Sequence, residues 1–312
     1  MSFTTTIKNE ISKLNITKVE MIAELSGFFR NNITINKDQN QIYLLTENEN
    51  IARRICSLIK ELYDVNLNIV TKQNTAFNKN NLYFLFLEEK KDLILKDLSV
   101  VDNNNELIAN VLDYIADTTE EIKSYLRGVF LASGSVNDPK TSRYHMELLI
   151  DYPTEAVYIQ KLINQFDLNA KLLSRDKGFM IYIKEAEKIS DFLKVLSANN
   201  AVLYFENIRI LRDHRNMANR LNNCEQANTD KIIETANEHL KYINILKDKL
   251  GVDLLDEKTK EALLYREKYP EASLSELSQI ISLETGNKIT KSGLNHRFRK
   301  IKDLANKIEK SS

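Results

Sequence analysis

The sequence predicts an α+β chain: a duplicated αββαββα domain followed by an all-α bundle. Three observations predict it. A short pattern occurs twice, as LSGFFRNN at 25–32 and LRGVFLASG at 126–134, with Leu25, Gly27 and Phe29 standing 101 residues before Leu126, Gly128 and Phe130. The segments after each copy read in the same order. Residues 286–312 hold eight basic and two acidic residues, a net +6, which leaves −6 on the rest of a chain balanced at 44 basic and 44 acidic.

The first repeat spans about 19–100. Residues 19–31 read as a helix with Ile22, Leu25, Phe28 and Phe29 on one face. ITI (33–35) and QIYLLT (41–46) read as strands. ENENIARRICSLIKELYD (47–64) carries a helical stripe at Ile51, Ile55, Leu58, Ile59 and Leu62. NLNIV (66–70) and LYFLFL (82–87) read as strands, and a helix follows near 89–97. The second repeat, about 120–198, has helix 120–133, strands GSV (134–136) and RYHMELLI (143–150), and a helix at 153–166 opened by Pro153. AKLLS and FMIYIK are strands joined by the turn RDKG, and helix 185–198 closes the unit. A helical glycine costs about 1 kcal/mol against alanine. Two in matching places point to helices that cross closely.

Residues 206–228 read as a basic helix and linker between the repeat domain, 1–205, and a C-terminal domain, 229–312. There a long helix is expected from a Thr229/Asp230 cap to Leu250, ended by Gly251. Helices 258–268, 273–284 and about 291–309 follow; Ser273 and Glu276 have capping-box spacing, and Gly286 stands in a stopping position.

Composition excludes several classes. No stretch approaches the roughly 20 apolar residues of a membrane span, and MSFTTTIKNEISKL lacks the apolar core of a secretion signal. Cys56 and Cys224, with no CxxC spacing, suit a reducing cytoplasm. His214, Cys224 and His239 lie ten and fifteen residues apart and lack the close pair of a zinc site.

LRGVFLASG resembles the LAGLIDADG helix of homing endonucleases: Leu126, Gly128, Ala132 and Gly134 match its Leu, first Gly, last Ala and last Gly. The resemblance implies two such helices packed face to face, each ending in an acidic residue that holds a divalent metal at a DNA phosphate. Here those positions are Asn32 and Ser133, both neutral. Hard cations need carboxylates, and metal-assisted phosphate cleavage needs the cation's charge. Asp138, in the NDP turn, lies outside the helix end. The expectation is an endonuclease-like fold with no nuclease activity, no metal and no cofactor.

NRLNNCEQANTDKIIETA (219–236), PEASLSELSQII (270–281) and ITKSGLNHRFRKIKDLA (289–305) resemble the WhiA family of bacterial regulators, and the resemblance covers nearly the whole chain. It implies a degenerate LAGLIDADG-like domain joined to a C-terminal helix-turn-helix, with the motif at about 273–306. It also implies a DNA-binding protein linked to transcription regulation, sporulation, cell division and chromosome segregation. Double-stranded DNA is the implied partner, with a transcription or division protein beside it. The implied location is cytoplasmic and nucleoid-associated, away from membranes.

With Leu294 at zero on a helical wheel, Phe298, Ile301, Leu304, Ala305 and Ile308 form one stripe. Ser292, Asn295, His296 and Arg299 face away from it, flanked by Lys291, Lys300 and Lys302. A recognition helix has this arrangement: Arg299 suits guanine, Asn295 suits adenine, and the lysines suit phosphates. Arg297, near the stripe's edge, suits a phosphate or a brace. Arg209, Arg212, Arg215 and Arg220 form a second basic run, for phosphates or for packing on the repeat domain. Three readings compete: a non-catalytic DNA-binding regulator, an active endonuclease, and a protein-interaction scaffold with weak DNA affinity.

Overall fold

The computed structural model describes residues 2–36, 41–73, 81–102, 108, 113–141 and 143–310. The chain divides into two compact units, Met1–Arg212 and Asp213–Ser312.

The first unit opens on α1 (Phe3–Ile11), a helix absent from the sequence reading; Ser2 caps it, and Phe3, Ile7 and Ile11 are buried at helical spacing. The first repeat is α2 (Lys18–Arg30), β1 (Ile33–Asn36), β2 (Gln41–Thr46), α3 (Glu49–Tyr63), β3 (Asn68–Gln73), β4 (Asn81–Phe86) and α4 (Lys91–Asp97). The second is α5 (Thr119–Ser133), β5 (Gly134–Val136), β6 (Met146–Ile150), α6 (Pro153–Asn164), β7 (Lys171–Ser174), β8 (Phe179–Ile183) and α7 (Ala186–Val195). Both repeats therefore run αββαββα. Their antiparallel sheets have equivalent strand orders, β1-β2-β4-β3 and β5-β6-β8-β7.

Two strands shift from expectation. β3 begins at Asn68 because its ladder runs from Asn68 opposite Phe86 to Gln73 opposite Asn81. β6 begins at Met146 because the three-residue β5 pairs no further than Val136 opposite Met146.

The duplication is carried by buried contacts between α2 and α5. Capping boxes at Thr17/Glu20 and Thr118/Glu121, also 101 residues apart, start both helices. A Cβ on Gly27 would overlap the Tyr125 carbonyl oxygen; one on Gly128 would overlap the Glu24 carbonyl oxygen and stand 2.8 Å from the Phe28 amide nitrogen. The glycines let the two backbones touch.

Beside this crossing lie two buried polar clusters. Glu24 accepts from Arg54, at 2.9 Å for one of its two bonds, and from Arg127 of the other repeat at 3.1 Å. Glu155 accepts from the Tyr125 hydroxyl and from Arg30 of the other repeat, at 2.8 Å from its Nε. Glu24 and Tyr125, like Arg54 and Glu155, stand 101 residues apart. Each repeat thus pairs a helix residue with one from its own next helix, and each carboxylate also takes an arginine from the opposite repeat. Burial and the Glu155 carboxylate push the Tyr125 phenol well above its usual pKa.

The largest departure is α8, which runs unbroken over Asn199–Lys249. The expected linker and the Thr229/Asp230 cap are both replaced by helix. Residues 206–250 contain no Gly or Pro to interrupt it. Thr229 Oγ1 donates back to the Glu225 carbonyl at 3.0 Å, and Asp230 accepts from Gln226 at 3.0 Å. Both side chains serve as ordinary i−4 partners inside the helix. The helix ends where expected, at Gly251, with φ +79°.

In the second unit, the end of α8 is followed by α9 (Glu257–Lys268), α10 (Leu274–Thr285) and α11 (Lys291–Lys310). Their core includes Ile243, Leu246, Leu263, Leu277, Ile281 and Phe298.

Candidate nucleic-acid interface

The turn between α10 and α11 is held from both sides. Ser273 and Glu276 complete the capping box of α10, and Gly286 terminates it at φ +71°. The Ser282 hydroxyl accepts from the Ile289 amide at 2.9 Å, and Thr290 Oγ1 accepts from the Gly293 amide at 3.1 Å. The turn is thereby tied back to α10, and one open donor at the start of α11 is satisfied.

α11 buries Leu294, Phe298, Ile301 and Ala305, the stripe read from sequence; Leu304 and Ile308 are part-buried beside it. Phe298 anchors the helix. The His239 ring stacks on it with centroids 3.9 Å apart and planes 6° from parallel, and the Arg266 guanidinium lies 5.5 Å from its centroid. Burial first, then the charges of Arg266 and Lys302, lowers the pKa of His239 to about 4. Arg266 is itself 1% exposed and donates to the Ala272 carbonyl at 2.6 Å, closing the α9–α10 turn. The sequence reading missed this role, since an arginine in a charged helix gives no sign that its head turns inward.

The eight candidate contact residues separate into two groups. Lys291, Ser292, His296 and Arg299 are exposed, and Asn295 is part-buried on the same face. Among the described residues, the Lys291 and Arg299 side chains have no ion-pair partner. The other three are engaged within the unit. Arg297 donates to Glu261 at 2.5 Å and to the Lys258 carbonyl at 3.1 Å, making it a brace between α11 and α9. Lys300 pairs with Asp256, the α9 cap, whose pKa falls to about 2 under that hydrogen bond and those from Thr259. Lys302 lies 3.7 Å from Glu238 and 5.3 Å from the Tyr242 centroid.

On α8 the basic run also divides. Arg212 donates to the Pro139 carbonyl at 2.6 Å and stacks 4.6 Å from the Tyr144 centroid, while Arg209 pairs with Glu206 at 2.7 Å. Arg212 thus packs on the first unit, and the Arg209 pair lies along α8 itself. Arg215 and Arg220 lie in a stretch, 213–231, in which every residue is exposed.

At the helix ends of the first unit, the two neutral residues are spent locally. The Asn32 amide donates to the Leu45 carbonyl at 2.9 Å and accepts from its amide at 2.8 Å, extending the sheet; Ser133 Oγ donates to the Val129 carbonyl at 3.3 Å. Asp138 accepts from the Lys140 amide at 2.8 Å and from Tyr204 at 3.2 Å. A neutral amide, a hydroxyl and an occupied turn carboxylate do not fit a divalent cation. The outward side of the first sheet is aromatic: Tyr43 lies 5.7 Å from Phe84 and 5.5 Å from Phe86 by ring centroids.

These features define a LAGLIDADG-like scaffold carrying a helix-turn-helix module. Comparison with known proteins agrees. The WhiA N-terminal LAGLIDADG-like domain matches residues 18–101, the WhiA LAGLIDADG-like domain 122–215 and the WhiA C-terminal HTH domain 218–305. The chain is 42% identical over 311 residues to a protein of Exiguobacterium sibiricum named probable cell division protein WhiA, covering 99% of this chain and 97% of that one. It is 42% identical over 310 residues to a Bacillus cereus protein of the same name, with the same coverage. The fold matches that of full-length WhiA from Thermatoga maritima at TM-score 0.58, 20% identity and 99% coverage of both chains. The chain belongs to the WhiA family.

Proposed function

We propose that the chain is a non-catalytic DNA-binding regulator acting in cell division and chromosome segregation, as a transcription factor or together with one. The observation that carries this reading is the outward face of α11. Ser292, Asn295, His296 and Arg299 stand on it, opposite the buried stripe, and Lys291 opens it. In this reading α11 enters the major groove of double-stranded DNA, with Arg299 and Asn295 toward base edges. Lys291 meets a phosphate, Arg215 and Arg220 add phosphate contacts, and Lys300 and Lys302 flank the groove from their ion pairs. Arg297 positions α11.

The naming of the curated relatives as cell division proteins supports the cellular role. Asn32 and Ser133 support the absence of cleavage. A cytoplasmic, nucleoid-associated place follows from DNA as the partner; among the described residues no helix is long and apolar enough to cross a membrane.

The test is binding of the full chain to promoter-length duplex across a salt series, with the same duplex incubated in Mg²⁺ and Mn²⁺. A regulator that neutralises Z phosphates gives a slope of about −0.9Z in log K against log salt, and leaves the duplex intact. A flat slope, or cut DNA, overturns the reading.

A further inference from the structure

α8 carries an apolar line that the DNA-binding reading does not use. Every residue over 213–231 of this helix is exposed, yet the helix is not polar all round. Leu203, Ile210, Met217 and Leu221 are each between 49% and 64% exposed. Leu203, Ile210 and Met217 stand seven residues apart, and Leu221 follows Met217 by four. At 100° per residue, the four fall within about 40° of one another around the helix.

Single exposed apolar residues need no explanation. Four in one line with a seven-residue repeat occupy the a and d positions of a coiled-coil seam. Asn207, His214 and Asn228 fill the other a positions, and Cys224 fills the next d position. Beyond Asn228 the same side of α8 is taken up by the second unit's own core, where His239 and Leu246 are buried. The open seam therefore runs over 203–228.

The flanking charges fix how a second helix lies on it. Asp213 and Arg220 occupy successive g positions, and among the described residues neither has an ion-pair partner. In an antiparallel pair, a and d residues meet across the axis, so Ile210 of one copy faces Leu221 of the other and His214 faces Met217. That register sets Asp213 of each copy beside Arg220 of the other, two opposite-charge pairs related by a two-fold axis. On the other flank Leu211 meets Ala218. A parallel pair would match Arg220 with Glu225, but it would bring the two C-terminal bundles to one side at one level, where each already covers the seam.

We propose that α8 dimerises the chain: a second copy packs antiparallel along the seam from Leu203 to Asn228, with Ile210 on Leu221 and Asp213 on Arg220. Asn207 and Asn228 form polar layers that fix the register at a cost in affinity, so the dimer exchanges with monomer. Arg220 has five N–H donors, and a pair at the rim of the seam leaves some of them for a phosphate.

The test is sedimentation velocity of the full chain, without DNA, over a dilution series reaching about 100 μM. The mass should rise to that of a dimer. Leu221→Lys, at an exposed position where lysine is an equally good helix former, buries a charge in the seam and should raise the dissociation constant about tenfold or more without loss of helix. Asp213→Arg should weaken the dimer, and Asp213→Arg with Arg220→Asp should restore it, because the two positions lie about 10 Å apart along one helix and do not pair within it. Register is read in a Cys56→Ser background. Asn207→Cys with the native Cys224 should give crosslinked dimers with a short bis-maleimide. Cys224 alone should not, its two copies lying about 25 Å apart. A chain that stays monomeric at the highest concentration overturns the proposal and leaves the stripe to a helix of another protein. A dimer indifferent to Leu221→Lys overturns it because another surface pairs. A dimer crosslinked through Cys224 alone, or not restored by the charge swap, overturns it because the helices do not lie antiparallel in this register.

Discussion

Gly128 meets the backbone of Glu24 across the repeat interface: a Cβ there would overlap the Glu24 carbonyl oxygen. The contact is backbone to backbone, so no side-chain rotation relieves it. Gly128→Ala therefore destabilises the chain by about 1–3 kcal/mol or more, even though alanine is the better helix former. Gly293→Ala in α11 is the control. There the nearest atoms to a new Cβ are side-chain atoms at 3.4 and 3.8 Å, and the change is neutral or slightly stabilising. Denaturant midpoints that fall equally for both variants would refute this account of the first glycine.

The Glu24 cluster predicts unequal costs. Arg127→Gln leaves Glu24 with Arg54, whereas Glu24→Gln removes the carboxylate from two buried arginines at once. Breaking a buried pair costs about 3–5 kcal/mol. The Glu24 variant should lose the more stability by urea denaturation; the reverse order would mean that Arg54 alone does not satisfy the carboxylate.

His239 predicts a pH dependence in the second unit. Its folded pKa, about 4, lies below the usual histidine value, so the neutral ring is the form that folding favours. Its contribution is complete above about pH 6.5 and is lost as pH falls from there toward 4. Arg266 and Lys302 face it and oppose protonation. His239→Phe keeps the ring against Phe298 and should flatten that loss, read by amide exchange in α11. An unchanged profile would assign the dependence elsewhere.

Asp256 gives a sharper titration. The hydrogen bonds from Lys300 and Thr259 hold its pKa at about 2. The ionised form is favoured by folding, so its contribution is present above about pH 4 and lost as pH falls through 2. Lys300→Ala should raise this value part of the way back, with the Thr259 bonds remaining. A carboxyl NMR titration that does not move would show that Lys300 is free for DNA.

Arg297 and Arg299 should separate stability from binding. Arg297→Ala removes a 2.5 Å ion pair to Glu261 and should lower the melting temperature of the second unit with little change in salt slope. Arg299 has no ion-pair partner among the described residues, so Arg299→Ala should weaken specific binding by about 1–3 kcal/mol at unchanged stability. Exchanged phenotypes would reverse the two roles.

Local signals determined much of this protein in sequence. Hydrophobic spacing placed the helices and strands of both repeats, the 101-residue offset exposed the duplication, and Ser273, Glu276 and Gly286 marked α10. These rest on neighbours within a few residues, which a sequence displays directly. The paired capping boxes at Thr17/Glu20 and Thr118/Glu121 rest on the same short spacing. Tertiary structure alone decided the rest. Nothing local distinguishes Arg297, bound to Glu261, from Arg299, open to solvent, because the difference is an acidic partner 36 residues away. The same holds for Glu24 and Arg127, 103 residues apart, and for Arg266 turned into its own unit. In α8, helix continued through Thr229 because no residue between 206 and 250 breaks it, and a capping residue inside a helix simply bonds back one turn. Charge and hydrogen-bonding capacity are written in the sequence, but which groups remain unspent is set only when the fold brings their partners within reach.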